Sequence, residues 1–365
     1  MIQLKRADFK ATSCSYIEPA FSSGAIVVVF QISPYYVPYF SVCLESLLAN
    51  TTNDNNYDLI VLSSGLQDYQ EKRLNYLVSN KPNISLRFFD PTCVVEKFIK
   101  NSRYQYLYLN YYKLALPWIL SKYDKFISLG ADLLLNTDIA LLFEQSFDSS
   151  QLIGGVQDLG YLGRLNIDIP PEELNLKNKN EYINADVLMF SADKIREEFE
   201  LEDVMSVWQR KQLRCAEQDA LNLIFDGRKK LFELAWNYFP DRMNSEIHIS
   251  FAPSSLREAR ERIKKTPSII HFAAVPKPWD DPLIEFADVW WNYARKGIWY
   301  EELLLRARTI RFAGANATVT RGRMLCDSLF PKGSSSREFL KKMFPRNSQS
   351  WKFFKYVQRK LKFDK

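Results

Sequence analysis

Residues 126–135 read "FISLGADLLL". Phe126, Ile127, Leu129 and the triplet Leu133–Leu135 form an apolar run that belongs in a protein interior, and one ionisable group, Asp132, stands inside it. Burying a carboxylate costs several kcal/mol unless a positive group pairs with it. The run therefore predicts a buried strand whose carboxylate has a partner elsewhere in the chain. Its neighbours Gly130 and Ala131 are the smallest residues available.

The segments on either side supply the context. "AIVVVF" (Ala25–Phe30), "DLIVLSSG" (Asp58–Gly65) and "ISLRFFD" (Ile84–Asp90) are short, β-branched, continuously apolar runs, the pattern of strands covered on both faces. Between them, "YFSVCLESLLAN" and "YQEKRLNYLVSN" carry helical spacing, and "YYKLALPWIL" reads as a helix begun or interrupted near Pro117. Strand–helix alternation of this kind predicts an α/β fold with a mainly parallel central sheet flanked by helices. Ligands in such folds sit at the carboxyl ends of the strands. No G-x-G-x-x-G follows the first strand and no Walker A loop is present, so a dinucleotide fingerprint is absent. Further on, Leu152–Asp158 and Tyr182–Ser191 are expected strands, Ala216–Phe225 an amphipathic helix, and Pro267–Trp279 a short strand running into a proline-stiffened loop.

The bulk properties agree with a folded enzyme-sized chain. It has 365 residues, 47% hydrophobic and 25% charged, with 14% aromatics that suit either a packed aromatic core or a cleft stacking planar or sugar-like ligands. No apolar stretch precedes Gly24, so no signal peptide is expected, and Ala25–Phe30 is too short to span a bilayer. Cys14, Cys43, Cys93, Cys215 and Cys326 are scattered, odd in number and lack zinc spacing, which predicts free thiols in a reducing compartment. The net charge of +6 is unevenly placed: Lys332–Lys365 carries 11 basic against 2 acidic residues, leaving the remainder close to −3. A nucleic-acid-binding surface would spread its basicity over the fold, so no nucleic-acid partner is expected.

Four segments in order, "IVVVFQISPYYVPYF" (26–40), "FISLGADLLLNTDIALLF" (126–143), "YINADVLMF" with "EQDALN" (182–225) and "IIHFAAVPKPW" (269–279), resemble glycosyltransferase family 8, the retaining enzymes that include bacterial lipopolysaccharide glucosyl- and galactosyltransferases. The resemblance covers roughly residues 24–300. It implies a GT-A type nucleotide-sugar-binding fold and a divalent cation, Mn²⁺ or Mg²⁺, held on the donor diphosphate by a D-x-D and a histidine. Asp132 matches the second Asp of that motif and His271 the histidine, a donor set suited to a hard cation with imidazole favouring Mn²⁺. Ala131 lies between the motif positions, against the donor.

Gly130 departs from the pattern, because it stands where the first Asp should be. Either another carboxylate substitutes, with Asp186 and Asp158 as candidates, or the metal site is degenerate. Restoring an acid through Gly130→Asp is expected to tighten the cation. Where relatives read close to "FAADDNY", this chain has "FQISPYY", so Ser33 replaces the acid that meets uracil, and Tyr35 or Tyr36 could stack on the base or simply pack. By resemblance, Gln218 faces the transferring sugar with Asp219 beside it and Glu217 in place of the usual first Asp. Asn184 contacts sugar or acceptor, and Lys113 and Lys277 meet the diphosphate or donor sugar. Ala274 stands where relatives carry glycine. His248 has no motif around it and is expected to be structural or exposed.

In the tail, Trp351, Phe354, Val357 and Leu361 recur at helical intervals among lysines and arginines. A basic amphipathic helix of this kind is expected to lie on an anionic membrane surface. The domain organisation read from the sequence is an N-terminal extension (1–23), a GT-A domain (24–308) and a linker with the basic helical C-terminal extension (309–365). The expected activity is transfer of a hexose, glucose or galactose first, from a nucleotide-sugar donor to an oligosaccharide or lipid-linked glycan acceptor. The expected location is the cytoplasmic face of the inner membrane. Two rivals remain: a catalytically weak nucleotide-sugar- or glycan-binding homologue with a degenerate metal site, and a sugar nucleotidyltransferase.

Overall fold

A computed structural model describes residues 16–100, 108–167, 174–210, 213–241, 246–273 and 275–308. The chain divides into two compact units, Met1–Leu303 and Leu304–Lys365. Everything that follows lies in the first. The tail in which the sequence predicts a basic helix, the N-terminal residues before Tyr16 and Ala274 fall outside the described residues.

A seven-stranded sheet has the order β3-β2-β1-β4-β7-β6-β8. Its first half is parallel: β1 (Ile26–Gln31) pairs with β2 (Tyr57–Leu62) and β4 (Lys125–Leu129), and β2 pairs with β3 (Ile84–Phe89). The predicted apolar runs are these strands. Val28, Val29 and Phe30 have no exposed surface, so each contributes about 1.5–3 kcal/mol of burial. The crossovers are helices α1 (Val37–Ala49), α2 (Asp68–Val78), α3 (Thr92–Lys100) and α4 (Tyr108–Ile119), and Pro117 sits inside the last without ending it. Asp58, the second residue of β2, is a fully buried carboxylate. It is satisfied by Arg87 at 2.8 Å, Tyr123 Oη at 2.9 Å and the Ala20 amide at 3.0 Å.

The sheet turns mixed beyond β4. Strand β7 (Ile183–Ser191) runs antiparallel to both β4 and β6 (Ile153–Gln157), and β6 pairs in parallel with β8 (Lys229–Leu231). The opening run is not one strand, as its apolar pattern suggested. Gly130–Asp132 breaks it, and Leu133–Leu135 becomes β5, which leaves the main sheet to pair with β9 (Ile269–His271). The reason is visible in the backbone: Gly130 N–H still donates to Asp186 O at 2.8 Å on β7, whereas the Asp132 carbonyl already accepts from Phe272 N at 3.1 Å, beyond β9. Two sheets thus exchange the chain at the turn that holds Asp132.

Among the described residues the cysteine expectation fails at Cys93. Cys43 and Cys215 are free, but Cys93, at the start of α3, is disulfide-bonded. Among the described residues no helix is long and apolar enough to cross a membrane.

Candidate active site

Strand pairing builds the site. The β4–β7 register sets Asp186 beside Gly130, and the β5–β9 register sets His271 opposite Leu133, one residue from Asp132. Asp132, Asp186 and His271 can each offer one ligand atom within 4.8 Å of the others, and this is the group among the described residues able to hold a metal ion. Nε2 of His271 lies 3.6 Å from Asp132 Oδ1 and 3.4 Å from Asp186 Oδ2.

The other face of the imidazole fixes its tautomer. Asn184 Oδ1 accepts from the Asp186 amide at 2.9 Å, so it is oxygen, and Asn237 Nδ2 donates to it at 3.0 Å. Asn237 Oδ1, on the short 3-10 turn Leu234–Asn237, therefore faces His271 Nδ1 at 2.9 Å as an acceptor. The proton belongs on Nδ1, and the Nε2 lone pair points at the two carboxylates. Outer hydrogen bonds of this kind are how proteins orient metal-binding histidines. The residues present fit a divalent cation.

Two lysines serve the remaining carboxylate oxygens. Lys113 on α4, 7% exposed, donates to Asp186 Oδ1 at 2.8 Å and to Ala185 O at 2.9 Å, with Glu217 at 3.8 Å. Lys277 Nζ donates to Asp132 Oδ2 and to the Phe272 carbonyl. Burial alone would raise the Asp186 carboxyl, but the ammonium of Lys113 beside it, with Lys277 adding to the effect, outweighs burial and holds it well below the ordinary range. Burial pushes Glu217 up, with Asp186 adding to the shift and Lys113 opposing it. Burial, then Asp132 and Asp186, raise the Tyr36 phenol, which stays a hydrogen-bond donor.

Two cavities meet here. One, of about 250 Å³, is bounded by Gln31, Ser33, Tyr36, Asn110, Lys113 and Ala131. The other, of about 520 Å³, is bounded by Asp158, Tyr161, Arg164, Asn184, Gln218 and His248, with His271 and Lys277. Asp132, Asp186 and Glu217 line both.

Most predicted residues therefore converge, and four do not behave as expected. Tyr35 is 61% exposed and lines neither cavity, whereas Tyr36 does; it is the tyrosine that ends "FQISPYY" as one ends "FAADDNY". Asp219 has no exposed surface. It accepts from Tyr182 Oη and from the amides of Arg214 and Cys215, so it shapes the chain entering its helix and lines neither cavity. Asp158 accepts from the Tyr161 amide, Asn184 and Gln218, and stands outside the cation group. The expected benefit of Gly130→Asp is overturned, because a β-carbon there would stand 2.9 Å from Asp186 Cβ.

Gln218 and Asn184 line the second cavity but already make internal bonds. Gln218 Oε1 accepts from Asn184 and the Ala185 amide, and its Nε2 donates to Asp158 and Tyr182. Sequence reading missed Gln31, Asn110, Tyr161, Arg164 and His248 as cavity residues. Tyr36 and Glu217, which also line the smaller cavity, stand in motifs and were named from them.

The family model described as Glycosyl transferase family 8 matches residues 27–282. A Haemophilus influenzae (strain ATCC 51907 / DSM 11121 / KW20 / Rd) protein, described only provisionally as a glycosyltransferase, is 25% identical over 228 residues, 60% of this chain and 64% of that protein. Among solved structures, the apo WbbM bifunctional glycosyltransferase is similar with a TM-score of 0.74 and 24% identity over 81% of this chain and 54% of that one. The galactosyltransferase LgtC, in complex with donor and acceptor sugar analogs, is similar with a TM-score of 0.61 and 21% identity over 75% of this chain and 96% of that one. The chain thus spans somewhat under two thirds of the curated relative it matches. At these identities the structural likenesses establish a GT-A fold.

Proposed function

Because the chain belongs to glycosyltransferase family 8, we propose that it is a retaining hexosyltransferase, taking glucose or galactose from a nucleotide-sugar donor, UDP-linked first, and passing it to a glycan acceptor of a bacterial surface polysaccharide. The observation that carries this reading is the junction of two cavities at Asp132, Asp186 and Glu217, a smaller space on one side and a wider one on the other. The smaller cavity offers a phenol at Tyr36, amides at Gln31 and Asn110 and a hydroxyl at Ser33 for the nucleoside. Lys277 borders the larger one, within reach of a diphosphate at the junction.

Asp132, Asp186 and His271 would hold a divalent cation, Mn²⁺ or Mg²⁺, whose positive charge stabilises the departing diphosphate. The chain's own groups do the rest. Lys113 holds Asp186, and Lys277 gives the diphosphate a point charge. Glu217 stands at the junction, where positive charge develops on the transferring sugar. Half-buried acids with no nucleophile placed by motif suit front-face transfer, in which the leaving phosphate takes the acceptor's proton and the protein supplies position and field. The basic tail would hold the enzyme at the cytoplasmic face of an anionic membrane, near a lipid-linked acceptor.

A panel of nucleotide hexoses incubated with Mn²⁺ tests the reading. One donor should be hydrolysed slowly without acceptor, and excess chelator should stop it. Binding without turnover would favour the inactive homologue, and pyrophosphate-dependent exchange the nucleotidyltransferase. Full hydrolysis in chelator would reject the cation.

A further inference from the structure

The side-chain space that Gly130 leaves empty is filled by Asp186. A β-carbon on Gly130 would lie 2.9 Å from Asp186 Cβ, 3.0 Å from its Cγ and 3.2 Å from Asp132 Oδ1. Carbon atoms pack at about 3.5–4.0 Å, so this is a collision with the root of a side chain, which no rotamer relieves. Neither backbone can step back, because Gly130 N–H donates to Asp186 O at 2.8 Å at the end of the β4–β7 ladder. Gly130 does not have a positive φ, unlike Gly24, Gly65 and Gly227. Glycine is required here for room and not for conformational freedom.

The two carboxylates divide their oxygens alike. Asp186 gives Oδ1 to Lys113 and turns Oδ2 to His271; Asp132 gives Oδ2 to Lys277 and turns Oδ1 to the same Nε2. Nε2, with its proton on the far nitrogen, makes a third lone pair at that point. The separations of 3.4 and 3.6 Å are long for charge-assisted N–H···O bonds, which run about 2.7–2.9 Å. They suit ligand atoms that would share one divalent cation.

We infer that Gly130 and Asp186 are a compensating pair: the second carboxylate of the cation site is delivered from β7 instead of the β4–β5 turn, and glycine at 130 is the condition that lets it in. Lys113 is the positioning residue that aims it. The inference deepens the proposed function and rests on it only for what the cation does in the reaction.

The test is Mn²⁺ binding to the full-length protein without nucleotide, read from the electron paramagnetic resonance signal of free Mn²⁺, with thermal unfolding alongside. Asp186→Asn, nearly isosteric, should keep the fold and weaken Mn²⁺ about tenfold or more. Gly130→Asp alone should weaken Mn²⁺ or lower Tm. The double variant Gly130→Asp/Asp186→Gly, in which carboxylate and space have traded places, should bind more tightly than Asp186→Asn. A smaller loss in Asp186→Asn overturns the inference. So does a Gly130→Asp protein of unchanged Tm that binds Mn²⁺ as well as the parent, or a folded double variant no better than Asp186→Asn. Failure of the donor panel with these Mn²⁺ results intact would reject the transferase reading and leave the pair standing.

Discussion

At the scale of single residues, Lys277 has two claims on it. Its ammonium is bound to Asp132 and the Phe272 carbonyl, and a diphosphate at the junction would offer it a stronger partner. Lys277→Met removes a competitor for Asp132 and a contact for the nucleotide at once. Calorimetry should find Mn²⁺ alone bound as tightly as by the parent or more so, and UDP with Mn²⁺ bound about tenfold less tightly. Equal losses in both titrations would make Lys277 a mere buttress of Asp132. Lys277, Asp132 and His271 were legible in sequence because each sits in a motif whose chemistry needs that residue type. The sequence left Tyr35 and Tyr36 as alternatives because adjacent tyrosines at a strand–helix turn face different ways, and only the backbone says which one turns inward. Gln31, Asn110 and Arg164 carried no signal, since an amide or guanidinium in a helix or strand is ordinary until folding points it at a cavity.

Among the elements, the apolar runs found the strands, because burial on both faces demands continuous hydrophobicity. The same rule misled at 126–135. A short turn between two buried strands of different sheets leaves the hydrophobic pattern almost unbroken, and only Gly130 and Asp132 mark it. The helix Ala216–Ile224 shows the converse, polar residues that hold elements together. Asn222 bonds both the amide and the carbonyl of Ile183, and Gln218 ties the helix to Asn184 and Ala185 on β7 and to Asp158. Gln218→Ala should therefore destabilise the fold by about 1–3 kcal/mol, the cost of leaving buried partners unsatisfied, and lower turnover with it. Denaturant unfolding checks the first and initial rates the second. Unchanged stability with lost turnover would restore Gln218 to direct sugar contact alone.

For the whole molecule, the proposed chemistry and the proposed membrane attachment fall on different stretches of chain. The candidate site lies within Met1–Leu303, while the +9 charge lies in Lys332–Lys365. Removing 334–365 should release the protein from anionic vesicles and leave hydrolysis of the donor unchanged; co-sedimentation with anionic and neutral vesicles checks the first. Added salt should weaken the attachment, since exposed charges are screened over about 8–10 Å. Equal binding to both vesicle types, or to neither, would make the tail a docking element for another protein. The Gly130–Asp186 contact has a consequence for descent. A chain cannot carry acids at both positions in this geometry, so single substitutions between the two arrangements must pass through an ancestor with only one carboxylate on the cation. The expected order is loss before gain. A search keyed to two acids in one turn will overlook every descendant that completed the second step.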